Sequence, residues 1–136
     1  MQDSLAKLPG YALRRAANAM MGEFSARLSA ADIRVSEASV LMLIGARVDV
    51  TASVIGRMLD IQRANMVPLL NRLEAADLVQ RVPINRKSFA IVLTAQGLAK
   101  LAEVLSITNT FETGLMDRVP AQHRAHLLPA LNALWR

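Results

Sequence analysis

Gln62, Arg63 and Asn65 stand together at the start of a helical pattern, and their side chains are of the types that read base edges. A guanidinium can donate twice to guanine O6 and N7, and an Asn or Gln carboxamide can pair twice with adenine N6 and N7. Asn71 lies further along the same helix. Arg81, Arg86 and Lys87 crowd the hairpin that follows, where a guanidinium could enter a narrow, electronegative minor groove. These seven residues form the candidate DNA-contacting set. Arg72 is expected to be structural instead, pairing with Glu74 or another acidic neighbour.

Other chemistry has little support. His123 and His126 have a spacing that could bring two imidazoles to one metal. The chain has no cysteine, and no acidic pair nearby completes a tetrahedral set, so exposed helix histidines are expected. Ser, His and Asp occur without a nucleophile elbow, a glycine-rich phosphate loop or a His-Glu-x-x-His pattern. No catalytic residue, metal site or cofactor is expected.

The periodicity of the chain supplies the elements that would hold the candidate residues. Val54, Ile55, Met58 and Leu59 mark one apolar face of a short helix, and Asp60-Ile61 breaks it. A second helix is predicted from about Gln62 to Ala76, with Met66, Leu69, Leu70 and Leu73 inward. Leu78 to Val82 and Phe89 to Leu93 read as strands joined by a turn from Pro83 to Ser88. Val48 to Val50 could add a third strand. This order is a helix-turn-helix followed by a basic wing, a known way to present a helix to the major groove.

Around that core, a first helix is predicted from Pro9-Gly10 to about Ser29, with Leu13, Ala17, Met20, Phe24 and Leu28 on one face. Ser36 is a plausible N-cap for a buried central helix from Glu37 to Arg47. Thr94 should cap a long helix from Ala95 to about Met116 that carries two apolar stripes, Leu98/Leu101/Leu105 and Val104/Ile107/Phe111/Leu115. After Pro120 a last helix presents Leu127, Leu128, Leu131, Leu134 and Trp135. Two stripes on one helix suggest that a partner covers the second.

Composition agrees. Hydrophobic residues make up 53% of the 136-residue chain, yet no segment approaches the roughly 18 uninterrupted apolar residues of a membrane helix. No membrane association is expected, and the apolar surplus predicts an interface with a second copy. No export signal is evident at the N-terminus and cysteine is absent, so a cytoplasmic protein is expected. The net charge of +5 favours a polyanionic partner, and Arg57 to Lys87 holds six basic residues against three acidic ones.

The chain also resembles the MarR family of bacterial transcriptional regulators over nearly its whole length. Pro9 to Ala17 looks like that family's first helix, and Val50 to Leu59 is similar to its third. Leu69 to Val79 resembles the end of its recognition helix, and Leu93-Thr94-Ala95-Gln96-Gly97 matches the Leu-Thr-x-x-Gly after its wing. The resemblance implies a homodimeric winged-helix repressor or activator tuned by a small, commonly aromatic or phenolic, effector. Family members often hold effectors between the first and central helices, which makes Tyr11, Arg14, Arg15 and Met42 candidate ligand contacts. The plainer reading gives those arginines to surface charge and the methionine to core filling.

Two positions depart from the family. The wing is shorter and reads Asn85-Arg86-Lys87 where the family usually has Asp-x-Arg or Asp-Arg-Arg. A neutral Asn could still accept a hydrogen bond from arginine, without charge assistance. Pro68 falls inside the recognition helix, removes a backbone donor and crowds the carbonyl of Ala64. A kink or a loosened first turn is expected between Gln62 and Val67.

The expected fold is mainly α with a small β-hairpin wing, in one domain spanning 1–136. A winged helix-turn-helix (about 36–93) is flanked by dimerisation helices (about 5–30 and 95–136). The expected function is sequence-specific binding of double-stranded DNA at a pseudo-palindromic operator, most simply as a repressor. The alternative is a winged-helix protein-interaction module that no longer reads DNA.

Overall fold

A computed structural model describes residues 4–136; residues 1–3 of the expected domain span lie outside the described residues. The elements are α1 (Pro9–Ser29), α2 (Val35–Gly45), α3 (Ala52–Met58), α4 (Arg63–Ala75), β1 (Val79–Pro83), β2 (Phe89–Leu93) and α5 (Ala95–Arg118), then a 3-10 turn (Ala121–His123) and α6 (Arg124–Asn132). The fold is mainly helical with one antiparallel hairpin, as expected. No helix among the described residues is long and apolar enough to cross a membrane.

Local chemistry sets the helix ends. Pro9 sits in the first turn of α1, where its missing N–H has no intrahelical partner to lose. Thr51 caps α3 by accepting from the Val54 N–H at 3.3 Å. Helix α2 starts earlier than expected, and Ser36 is not its cap. The N-cap is Arg34, whose N–H donates to Glu37 Oε1 at 2.9 Å, so Ser36 lies within the first turn.

An aspartate in the left-handed region follows each of the first four helices: Asp32, Asp49, Asp60 and Asp77, with φ of 57°, 55°, 53° and 58°. After three of these helices the chain folds back in a Schellman turn. The N–H of Ile33 reaches the Leu28 carbonyl at 3.2 Å, that of Ile61 reaches Gly56 at 2.8 Å, and that of Leu78 reaches Leu73 at 3.0 Å. Asp tolerates this backbone because its short polar side chain can bond locally. The break expected at Asp60-Ile61 is therefore one instance of a recurrent stop.

Leu28, Val40, Leu41, Ile55, Leu73 and Val104 are fully buried and tie α1 to α5 in one core. Met58, expected inward, is exposed, because α3 ends at that residue and its inward face is held by Ile55. The stripes of α5 separate. Val104 and Phe111 are buried, whereas Leu98 and Leu105 are exposed. In α1 only Leu28 is buried, and in α6 no residue is. Helix α6 ends at Asn132, so Leu134 and Trp135, 69% and 70% exposed, lie beyond it.

Among the described residues Val48 to Val50 form no third strand. Val50 contributes one bond, its carbonyl accepting from the Ile91 N–H at 2.7 Å. The stronger tie to the hairpin is at its base. The Thr94 N–H donates to the Leu78 carbonyl at 3.1 Å, and Thr94 Oγ1 donates to the Asp77 carbonyl at 2.5 Å while accepting from the Gly97 N–H at 2.9 Å. The first turn of α5 then lies so close to β1 that a Cβ on Gly97 would collide with the Leu78 carbonyl.

That contact is backbone against backbone, so no side chain can rotate away to relieve it. Gly97→Ala is expected to destabilise the protein by about 1–3 kcal/mol, read as a lowered urea midpoint. An unchanged midpoint would show that the hairpin base yields freely.

Candidate nucleic-acid interface

Helix α4 buries Met66, Leu69, Leu70 and Leu73, the face its periodicity assigned inward. Arg63, Ala64, Val67, Pro68 and Asn71 are consequently exposed. The helix runs unbroken through Pro68. Its first turn is tightened: the Gln62 carbonyl accepts from both the Asn65 N–H at 2.9 Å and the Met66 N–H at 3.1 Å, a sharing common at helix ends.

Strands β1 and β2 pair from Val79 with Leu93 to Pro83 with Phe89. Beyond Pro83 the tip closes through the Ile84 N–H, which donates to the Ser88 carbonyl at 2.9 Å. Asn85 does not serve as an acceptor for an arginine side chain. Its Oδ1 takes the N–H of Lys87 at 2.9 Å and of Ser88 at 3.0 Å, the local turn bond to which Asn is suited. The Arg86 and Lys87 side chains are left at an ordered, exposed tip.

An open groove of about 860 Å³ lies between α3, α4 and the hairpin. Arg57, Arg63, Arg81 and Lys87 line it together with Ser53 and Val67. The structure thus brings three of the seven candidate residues into one hollow. Gln62, Asn65, Asn71 and Arg86 are exposed nearby but do not line it. Arg57, Arg63, Arg86 and Lys87 make no ion pair with a described residue, and Asp60 is the acidic residue among those lining the hollow.

Arg81 differs. Its Nε meets Glu74 Oε1 at 2.7 Å, which braces the hairpin against the end of α4. Arg72 is structural as expected, but its partner is Glu37 of α2, at 3.8 Å, because Arg81 occupies Glu74. The Arg81–Glu74 pair is exposed on both sides and worth about 0–1 kcal/mol; in the longer Arg72–Glu37 pair the arginine is exposed and Glu37 is largely buried. They orient more than they stabilise.

Sequence reasoning missed Ser53, Arg57 and Val67 as lining residues. The four-residue spacing of Ser53 and Arg57 on a helix whose opposite face is apolar was a usable signal for the first two. Val67 carried none, since a valine in a helix reads as core.

The candidate effector contacts are placed as follows. Arg14 lies 5.6 Å from the centre of the half-buried Tyr11 ring, and Arg15 is exposed beside it on α1. Met42 faces α5, its sulfur 3.9 Å from Thr108 Oγ1. A second hollow of about 310 Å³ opens between α1 and α5, lined by Arg27, Ala30, Ser106, Ile107 and Thr110. None of Tyr11, Arg14, Arg15 and Met42 lines either hollow. His123 and His126 are exposed, and among the described residues no group of three His, Cys, Asp or Glu could hold a metal.

A sequence model described as MarR family matches residues 31–86. The transcriptional repressor CouR, solved bound to a 23-mer DNA duplex, is similar at 30% identity and a TM-score of 0.91, over 100% of this chain and 98% of that one. CouR bound to p-coumaroyl-CoA is similar at 29% identity and a TM-score of 0.87, over 100% and 97%. The MarR family protein Rv2887 of Mycobacterium tuberculosis, solved with salicylic acid, shares the fold at 23% identity and a TM-score of 0.74, over 93% and 95%. Among curated proteins none matches at a significant level.

The two bonds to Asn85 order the tip independently of any ligand. Asn85→Ala should speed hydrogen exchange at the Lys87 and Ser88 amides by about fivefold, for a net bond worth about 1 kcal/mol. Unchanged exchange would mean that the strand register alone holds the tip.

Proposed function

The chain belongs to the MarR family of transcriptional regulators, and from that premise we propose that it is a homodimeric, sequence-specific DNA-binding repressor responsive to a small aromatic or phenolic effector. One observation carries the reading: the cation-lined groove between α3, α4 and the hairpin, in a chain that matches DNA-bound CouR over its full length. Helix α4 enters the major groove by its N-terminal end, where Gln62, Arg63 and Asn65 meet base edges. Asn71 and Arg81 contact the duplex beside them, and Arg86 and Lys87 reach the minor groove or its phosphates.

A second copy supports the geometry. Leu13 and Met21 on α1 and Leu128 and Leu131 on α6 are exposed apolar residues that a second copy would cover. Joining two copies there sets the recognition helices about 34 Å apart, the spacing of successive major grooves. An effector represses binding when it favours a dimer in which that spacing is wrong, which requires different affinities for the two states. CouR in complex with p-coumaroyl-CoA supports a phenolic acyl group as the effector class. Tyr11, Arg14, Arg15 and Met42 are the proposed contacts. The proposed role is one of binding, with no covalent step, in the cytoplasm.

The test is selection of tight binders from fragments of the source genome, followed by salt titration. A pseudo-palindrome should be enriched, with affinity falling steeply as salt rises. Arg63→Ala should cost about 1–3 kcal/mol and relax the preference at one base pair, and Arg86→Ala should lower the salt slope by about 1. Weak binding without enrichment, with or without aromatic acids or their thioesters, would favour the protein-interaction module. Assembly is read separately by sedimentation equilibrium. The chain should run at about twice its own mass, and Leu134→Asp should shift it to monomer without unfolding α2 to α5.

A further inference from the structure

Valine 67 has no evident reason to be on the outer side of α4. It is 56% exposed, and Ala64, also exposed, has Val67 three residues on and the exposed Pro68 four residues on, the spacings at which helix side chains are neighbours. A β-branched residue is a poorer helix former than the polar residues usual on a wet helix face. Among the exposed polar residues of α4, Arg63, Asn65, Asn71 and Arg72, stand the exposed apolar Ala64, Val67 and Pro68.

The occupant can be argued from charge. Val67 lines the same groove as Arg57, Arg63 and Lys87, none of which is paired with a described residue. A second copy of this surface would set those cations against one another, whereas a polyanion compensates them. Within a DNA major groove, one base-edge group is apolar, the C5-methyl of thymine.

We infer that Val67, flanked by Ala64 and Pro68, is a specificity-determining residue that packs against thymine C5-methyl groups in the major groove. The inference rests on the DNA-binding reading above and deepens it by naming a base. On that reading Arg63 suits guanine and Asn65 suits adenine. Val67 selects thymine over cytosine by covering a methyl that cytosine lacks. Pro68 adds apolar surface beside it and brings no N–H that would need a partner in a dehydrated contact.

The experiment uses the full chain and the most tightly bound duplex from the genomic selection. Each thymine is replaced in turn by deoxyuridine, which deletes the methyl and leaves pairing intact. At one or more thymine positions in each half-site the wild-type protein should bind about fourfold more weakly, the loss equivalent to one buried methyl-sized group. The same replacement should leave Val67→Ala nearly unaffected, with an unchanged salt slope. Val67 is exposed and alanine is the better helix former, so the variant should fold as the wild type does. Two results overturn the inference: no deoxyuridine position weakens wild-type binding, or the sensitivity persists in Val67→Ala. Either leaves the DNA-binding reading standing. Failure to select any duplex removes that reading first, and the inference with it.

Discussion

The close approach of Gly97 to the Leu78 carbonyl is the contact on which the rest of the arrangement depends. The hairpin is a two-stranded sheet, which is marginal by itself in water. Here its base is closed by backbone. The Thr94 N–H bonds to Leu78, its hydroxyl bridges the Asp77 carbonyl and the Gly97 N–H, and the missing Cβ at Gly97 lets α5 begin against β1. One threonine and one glycine thus connect the end of α4, both strands and the start of α5. Moving α5 must move the hairpin and the end of α4 with it.

That linkage bears on how the groove is held. The side-chain pairs around it are individually weak: Glu74 with Arg81 is exposed, and Glu37 with Arg72 is long at 3.8 Å with an exposed arginine. They cannot set the angle between α4 and the hairpin alone. The angle follows from the Schellman turn at Asp77, which returns Leu78 to Leu73, and from burial of Leu69, Leu70 and Leu73. The ion pairs then select among small adjustments. Because Arg81 is held by Glu74, its charge in the groove is partly compensated, while Arg57, Arg63 and Lys87 make no ion pair with a described residue.

A single chain leaves much apolar area wet. Leu98 and Leu105 on α5, Leu13 and Met21 on α1, and Leu128, Leu134 and Trp135 at the C-terminus are all exposed. They lie on the elements that flank the winged helix, which itself exposes Val48, Met58, Val67, Ile84 and Phe89. Burying a large side chain of this kind is worth about 1.5–3 kcal/mol, so covering several of them would stabilise the proposed dimer. The same helices carry the hollow beside Arg27 and Ile107. A ligand that separates α1 from α5 would therefore act on the surface proposed to join two copies.

Most elements were legible in the sequence because helix and strand periodicity are local properties of the chain. The inward face of α4, the cap at Thr94, and both strands needed only the order of apolar and polar residues. What failed depended on neighbours distant in sequence or on backbone sign. Glu37 as the partner of Arg72, the single bond that replaced a third strand at Val50, and the separation of the two α5 stripes into covered and bare required the packing of α2, α4 and α5. Asn85 bonds its own turn because the tip closes tightly enough to bring the Lys87 and Ser88 N–H groups within reach. The sequence by itself determined the helices, the strands and the family. Only the tertiary structure decided which cations share a groove and which valine stands exposed among them, because side chains meet in space according to how helices pack, and packing is not a local property of the chain.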